Sequence, residues 1–579
     1  MTQIPPPINP DLHAKLESNL ALLYGSKSGN LVRDIMHLVE NYRESIPTAR
    51  AYWDESDALL ITYGDSLQEK DTPGLASLEK FLDSRVREHF SLVHVLPFYP
   101  WTDDDGFSVV DFRQVNPPLG DWKHIHSLAG KYRLIFDGVF NHVSKSSEYV
   151  RGHLNGDADY RDFCINEDPS FDHSQVTRPR TSPLFHAYRG SSGEMRLWTT
   201  FSEDQVDLNL ANPAVLMELL DVLLFYASRG ASMIRLDAIP YMWKASGTSC
   251  VHRPQTHAFI RIARLVMDIA APHVGLLSET NVPHEENLTY FGNRGDEAQV
   301  IYNFTLPPLI LYGLATGDAQ PLTRWAATLV SPGRRCTFLN ITSTHDGIGM
   351  RPVEGILTGE QQKVLTDLAV EHGGAVSTRS NPDGSQSPYE LNLTFFDAVN
   401  NPNEVDADRE IQLRRFLLSQ AIPMTLAGIP AFYIHCLLGS RNDTKGVQVS
   451  GIKRRINREK LQLDQVNADL DNPESMRSRI FTGLMELLKV RTSSTAFHPS
   501  AACTVIELGR DIFALLRENK KNGCRILALH NLSGAETACA TPEDFSLEKS
   551  RDLLDETATF KPPYVLLPAY GIRWLSIND

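Results

Sequence analysis

Ionisable side chains in this 579-residue sequence gather at one kind of place, at or just beyond the downstream ends of short apolar runs. Asp65, Asp104, Asp137 with His142, Arg235 with Asp237, Glu279, and His345 with Asp346 all sit there. Carboxylates brought together can serve as nucleophile and as proton donor, and a neighbouring guanidinium favours the ionised form of one of them. Arg235 lies two residues before Asp237, so both side chains share one face of an extended strand. Each residue also has a plainer reading. A lone strand-end aspartate is more often a helix cap or an ion-pair partner, and a core histidine is more often simply hydrogen-bonded in place. The meaning therefore rests on the whole set and on what positions it.

Eight apolar runs of buried-strand type alternate with helical patterns: 58–63, 92–98, 133–140, 232–239, 275–280, 299–304, 336–342 and 430–434. Eight parallel strands close a (β/α)8 TIM barrel, with a doubly wound open sheet as the alternative. Polar residues at the ends of many different strands favour the barrel, whose loops converge on one mouth, whereas an open sheet gathers ligands at one switch point. The expected organisation is a helical extension over 1–52, an α/β barrel over 53–142 and 206–494, and a lid domain over 143–205 inserted after the third strand. A second insertion over 347–410 follows the seventh strand, and short alternating runs predict an antiparallel β-domain over 495–579.

Fifty-six basic against 71 acidic residues give a net charge of −15, which argues against a nucleic-acid or anionic-membrane binder. The N-terminus shows no basic segment followed by an apolar run, no window reaches the length of a membrane span, and the seven cysteines are scattered without a C-x-x-C pair. Those features predict reduced thiols and a cytoplasmic location. No histidine spacing or oxygen-rich loop suggests a metal, and no cofactor is expected.

The order Asp137-Gly-Val-Phe-Asn-His142, Gln205-Val-Asp207-Leu-Asn209, Ile234-Arg235-Leu-Asp237, Ser278-Glu279 and Thr344-His345-Asp346 resembles the motif series of the α-amylase superfamily. LPFYPWTDDDGFSVVDF, TFSEDQVDLN, YNFTLPPLILYGLATGD, THDGIG and RRINREK are similar to its sucrose phosphorylase subfamily, in glycoside hydrolase family thirteen. The helical extension together with TRPRTSPL, GSRND and ETNVPH resembles most the bacterial glucosylglycerate phosphorylases within it.

That resemblance implies a retaining reaction in which Asp237 is the nucleophile, Glu279 the acid and base, and Asp346 the stabiliser of the oxocarbenium-like charge. Arg235 would keep Asp237 ionised, and an apolar setting would keep Glu279 protonated. Asp104 and Arg458 match the clamp on the far side of the glucosyl ring, Phe107 its aromatic platform, and His142 and His345 donors to its hydroxyls. Arg180, in Arg178-Pro-Arg180 of the lid, is expected to bind phosphate and an acceptor carboxylate. The segment 451–460 carries five basic residues against one acid, and its bland reading, favoured for Lys460 and Lys453, is a solvated helix face.

The implied reaction is reversible phosphorolysis of 2-O-α-glucosylglycerate to glucose 1-phosphate and glycerate. Alternatives are a sucrose, sucrose 6′-phosphate or glucosylglycerol phosphorylase, or an α-glucoside hydrolase. The implied partners are a small glucoside and phosphate, the latter a co-substrate, with no nucleic acid and no membrane; a homodimer is left open.

Overall fold

Eight short strands, nearly all of their residues buried, close on themselves as a parallel barrel. They are β1 (Leu59–Thr62), β2 (Leu92–Val95), β3 (Arg133–Gly138), β4 (Ala231–Leu236), β5 (Gly275–Ser278), β6 (Val300–Tyr302), β7 (Thr337–Asn340) and β8 (Ile429–Tyr433). Each lies in or overlaps one of the eight apolar runs, and β8 pairs in parallel with β1, which removes the open-sheet alternative. Strands covered on both faces need apolar residues at successive positions, which is why these runs do not alternate. The computed structural model describes residues 10–577 apart from 49, 51, 52, 334, 382, 383 and 544; the Pro-rich lead at 1–9 lies outside the described residues.

Two helices precede the barrel, α1 (Pro10–Tyr24) and α2 (Leu31–Arg43). Leu16, Leu20, Leu23, Leu31 and Ile35 are buried where these helices pack on helices Pro254–Ala270 and Pro213–Ser228 of the barrel's outer ring. The Tyr24 hydroxyl donates to the Leu210 carbonyl at 2.9 Å, tying the extension to the barrel.

Both insertions form after the expected strands. The lid closes at its base by antiparallel pairing of His142–Ser144 with Gln205–Asp207, and carries the hairpin Phe185–Gly190 and Gly193–Trp198. The insertion after β7 is a three-stranded sheet of Ile348–Gly349, Gln386–Asn392 and Ala375–Ser380, with helix Gly359–Glu371. Helix Arg409–Thr425, capped by the Asp408 side chain on the Glu410 amide, returns the chain to the barrel. At the C-terminus a five-stranded antiparallel sheet runs Ala502–Ile506, Ile512–Asn519, Cys524–Asn531, Ile572–Ile577 and Ser550–Asp552 in spatial order. All seven cysteines are unpaired, and no helix among the described residues is long and apolar enough to cross a membrane.

His530 sits in the core of that C-terminal sheet, with Nδ1 3.1 Å from the Phe513 carbonyl, and burial draws its pKa down to about 4. The unfolded chain takes up this proton near pH 6.5 and the folded chain only near pH 4. Stability present above pH 6.5 is therefore lost as pH falls toward 4, by at most about 1.4 kcal/mol per pH unit for this group. Urea unfolding measured from pH 7.5 to pH 5 is expected to show a shallower loss for His530→Gln than for the wild type; identical slopes would refute the assignment.

Candidate active site

The pairing of β4 with β5 sets the two central carboxyls side by side. Arg235 is in register with Leu277 and Leu236 with Ser278, so the next residues, Asp237 and Glu279, leave adjacent strands together. The Glu279 amide donates to the Leu236 carbonyl at 3.1 Å. Immediately after Asp237 the backbone turns left-handed at Ala238 (φ 48°), a conformation that costs energy for a residue with a side chain. The turn aims the Ala238 amide at Glu279 Oε2, 3.1 Å away. One strand end thus carries the first carboxyl and donates a hydrogen bond to the second.

Arg235 supports this pair from below. It is 2% exposed, donates from Nη1 to Asp237 Oδ1 at 2.8 Å, and also pairs with Asp137, which in turn lies 2.6 Å from His94 Nε2. Burial would lower the guanidinium pKa, but Asp137 and Asp237 hold it well above its usual value. Burial pushes Asp237 well above the ordinary carboxylate range; Arg235 pulls it back, and Glu279 and Asp137 push it further. Glu279 is raised too, by burial first, against the pull of Arg235 and the Ala238 amide. The expected pull of Arg235 on Asp237 is present but is not the larger effect. Desolvation outweighs the guanidinium at Asp237, and the neighbouring Glu279 adds to the rise.

Asp346, in the loop after β7, has the opposite balance. Burial would raise it, but Arg454, His345 and Arg458 hold it far below the usual range. Arg454 Nη1 is 2.6 Å from Asp346 Oδ1, and Arg458 reaches Asp346 at 3.2 Å and Asp104 at 2.9 Å. Asp104 and Asp105 both adopt left-handed backbone conformations, which turn their carboxylates toward Arg458. Phe107 stacks on His345 with ring centres 4.6 Å apart, and its carbonyl lies 2.9 Å from His142 Nε2. Burial lowers both histidines, His345 to about 3, so the ring beside Asp346 is neutral near pH 7.

Eight of the ten sequence-selected residues line one cavity of about 60 Å³: Asp104, Phe107, His142, Arg180, Asp237, Glu279, His345 and Asp346. Arg235 and Arg458 stand directly behind it, on Asp237 and on Asp104 and Asp346. Sequence reasoning missed Arg454, Tyr241, Asn281 and Tyr389, which also line it. The signal for Arg454 was present, because it lies four residues before Arg458 in the basic run. Lys453 is exposed as that reading has it, but the segment is a tight turn, Lys453–Asn457, whose Arg454 and Arg455 turn inward onto Asp346, Glu390 and Asp105. Lys460 pairs with Asp65 and lies 4.4 Å over the Tyr63 ring, because a carboxylate and an aromatic face are both within its reach.

Residues 89–326 match the α-amylase catalytic domain family. The chain is 47% identical to a glucosylglycerate phosphorylase of Allomeiothermus silvanus, over 85% of this chain and 88% of that one. It is 41% identical to a glucosylglycerate phosphorylase of Spirochaeta thermophila, over 91% and 90% of the two chains. The crystal structure of sucrose 6F-phosphate phosphorylase from Thermoanaerobacter thermosaccharolyticum superposes with a TM-score of 0.72 at 24% identity, over 85% of this chain and 96% of that one.

Proposed function

Because the chain belongs to the sucrose phosphorylase subfamily of the α-amylase superfamily, glycoside hydrolase family thirteen, we propose that it is a retaining glucosylglycerate phosphorylase. The reaction converts 2-O-α-D-glucosylglycerate and phosphate reversibly to α-D-glucose 1-phosphate and D-glycerate. One observation carries the reading: Asp237 and Glu279 leave adjacent strands in register, with the Glu279 carboxyl held by the amide next to Asp237.

The chemistry follows from the partners of each group. Asp237 accepts from the Arg235 guanidinium and Glu279 from the Ala238 amide, and the reaction requires the proton on Glu279, the carboxyl that serves the leaving oxygen. Asp237 attacks the anomeric carbon as Glu279 passes its proton to the departing glycerate oxygen, leaving a covalent glucosyl-enzyme. Phosphate then attacks the same carbon, releases Asp237 and forms α-glucose 1-phosphate with net retention. Asp346, kept ionised by Arg454 and Arg458, stabilises positive charge at the ring, and Asp104, His142 and His345 bind its hydroxyls. Phe107 supports the sugar face. Phosphate is a co-substrate and the scheme needs no cofactor. Seven unpaired cysteines support a cytoplasmic setting for a small-molecule enzyme of this kind.

The test is stoichiometric. Purified protein given glucosylglycerate and phosphate is expected to release one glucose 1-phosphate for each phosphate consumed; free glucose as the main product would make it a hydrolase. Arg180 lines the cavity beside Tyr389, and its planar fork suits phosphate oxygens. Arg180→Ala is expected to raise the Michaelis constant for phosphate by about 30-fold or more, the loss of one charge-assisted contact. An unchanged constant would remove Arg180 from phosphate binding.

A further inference from the structure

We propose that Arg351 recognises the carboxylate of the acceptor, and that Arg178, Arg180 and Arg379 form the cationic passage by which both anionic reactants approach Glu279. The proposal rests on the phosphorylase reading above and deepens it by naming what selects a hydroxy acid.

The sugar end of the cavity has its cations committed. Arg454, Arg455 and Arg458 are paired with Asp104, Asp105, Asp346 and Glu390. Behind Tyr389 and Asn281 the balance differs. Arg351 follows Met350, whose amide donates to the Tyr389 carbonyl at 3.0 Å, and Gly349, where an added Cβ would lie 2.6 Å from Asn281 Oδ1. Tyr389 and Asn281 both line the cavity, and Asn281 lies two residues past Glu279. The Arg351 side chain is only 10% exposed, its Nε and Nη1 are buried without a hydrogen-bond partner, and Glu354 stands 4.0 Å from Nε. Asn281 Oδ1 is likewise buried and unpartnered.

The neighbouring cations are similarly short of anions. Arg379 holds Glu354 at 3.0 Å from the other side. The Arg178 main chain bridges Ser380, next to Arg379, and its Nε and Nη2 are buried without partners. Arg180 lies 5.7 Å over the Tyr389 ring. Among the described residues the carboxylates facing the group are Glu354 and Glu286, and Glu286 is engaged by His252 at 2.8 Å. Among the described residues, four arginines thus face two carboxylates in a chain of net charge −15. A buried guanidinium with unmatched donors costs free energy, and a carboxylate or phosphate offers the paired oxygens that match its fork. A carboxylate one bond from the carbon that bears the reacting hydroxyl would bring its charge to Arg351 while that hydroxyl stays at Glu279. Uncharged polyols lack this handle.

The experiment runs the reaction in the synthetic direction from glucose 1-phosphate, comparing kcat/KM for D-glycerate and for glycerol. Wild type is expected to prefer glycerate. In Arg351→Gln that preference should fall by about 50-fold through KM for glycerate, while KM for phosphate in the forward direction changes less than about five-fold. Arg351→Lys should restore part of the preference, a recovery that a merely structural role would not produce. A folded Arg351→Gln enzyme that keeps the wild-type preference, or a Lys variant no better than Gln, would overturn the role of Arg351. A wild type that prefers glycerol would instead overturn the acceptor assignment beneath it.

Discussion

Asp237→Asn is expected to lower kcat by at least about 10⁴-fold, because it removes the nucleophile at nearly constant volume. The fold should not suffer. Arg235 keeps its pair with Asp137, and that aspartate keeps His94, so no buried cation is left alone. Burial raises the folded-state pKa of Asp237, which means that its ionised form opposes folding above its unfolded pKa of about 4. A neutral amide in its place should therefore leave the melting temperature at neutral pH equal or slightly higher, the stability cost of a strained site being removed with its activity. Two measurements decide the matter: single-turnover mass spectrometry for a glucosyl-enzyme, and thermal unfolding at pH 7. A covalent intermediate in Asp237→Asn would refute the nucleophile.

Glu279→Gln should separate the two halves of the reaction. With glucosylglycerate, which needs its leaving oxygen protonated, kcat is expected to fall by about 10²- to 10⁴-fold. α-Glucosyl fluoride needs no such proton, so glucosylation of Asp237 should survive. Phosphate already carries a charged oxygen near pH 7 and attacks without a base, whereas the glycerate hydroxyl requires one. The variant given glucosyl fluoride should therefore make glucose 1-phosphate from phosphate and little glucosylglycerate from glycerate. Burial raises Glu279, so wild-type kcat/KM for glucosylglycerate should decline on the alkaline side as that carboxyl loses its proton. With glucosyl fluoride and the Gln variant this decline should be absent. Equal loss with fluoride and with glucosylglycerate would refute the assignment of Glu279 as acid.

The barrel and most of its site were legible because their signals are local in the chain. Apolar runs such as GLLSET and CTFLNIT declare strands buried on both faces, and an ionisable residue just beyond such a run declares a position at the barrel mouth. The two-residue spacing of Arg235 and Asp237 anticipated their contact, since alternate residues of a strand share a face. Arg454, Tyr389 and Asn281 were not legible in the same way. Arg454 becomes a partner of Asp346 only through the tight turn at Lys453–Asn457, and Tyr389 reaches the cavity on an inserted sheet with no strand-end signature.

Charge divides along the same line. The basic run at 451–460 and the pair Arg178 and Arg180 look alike in sequence, as islands of positive charge in an acidic chain. Folding brings Asp104, Asp105, Asp346 and Glu390 onto the first, so its arginines become the frame of the sugar site. Among the described residues no comparable set of carboxylates reaches the second, and there the cations of Arg178, Arg180 and Arg351 stay available to a ligand. The residue types and their order along the chain determined the barrel, its carboxylates and the reaction they can perform. Tertiary structure alone decided which charges are already spent on one another, because that depends on partners far apart in the chain, and because burial raised Asp237 and Glu279 while Arg454, Arg458 and Arg235 lowered Asp346.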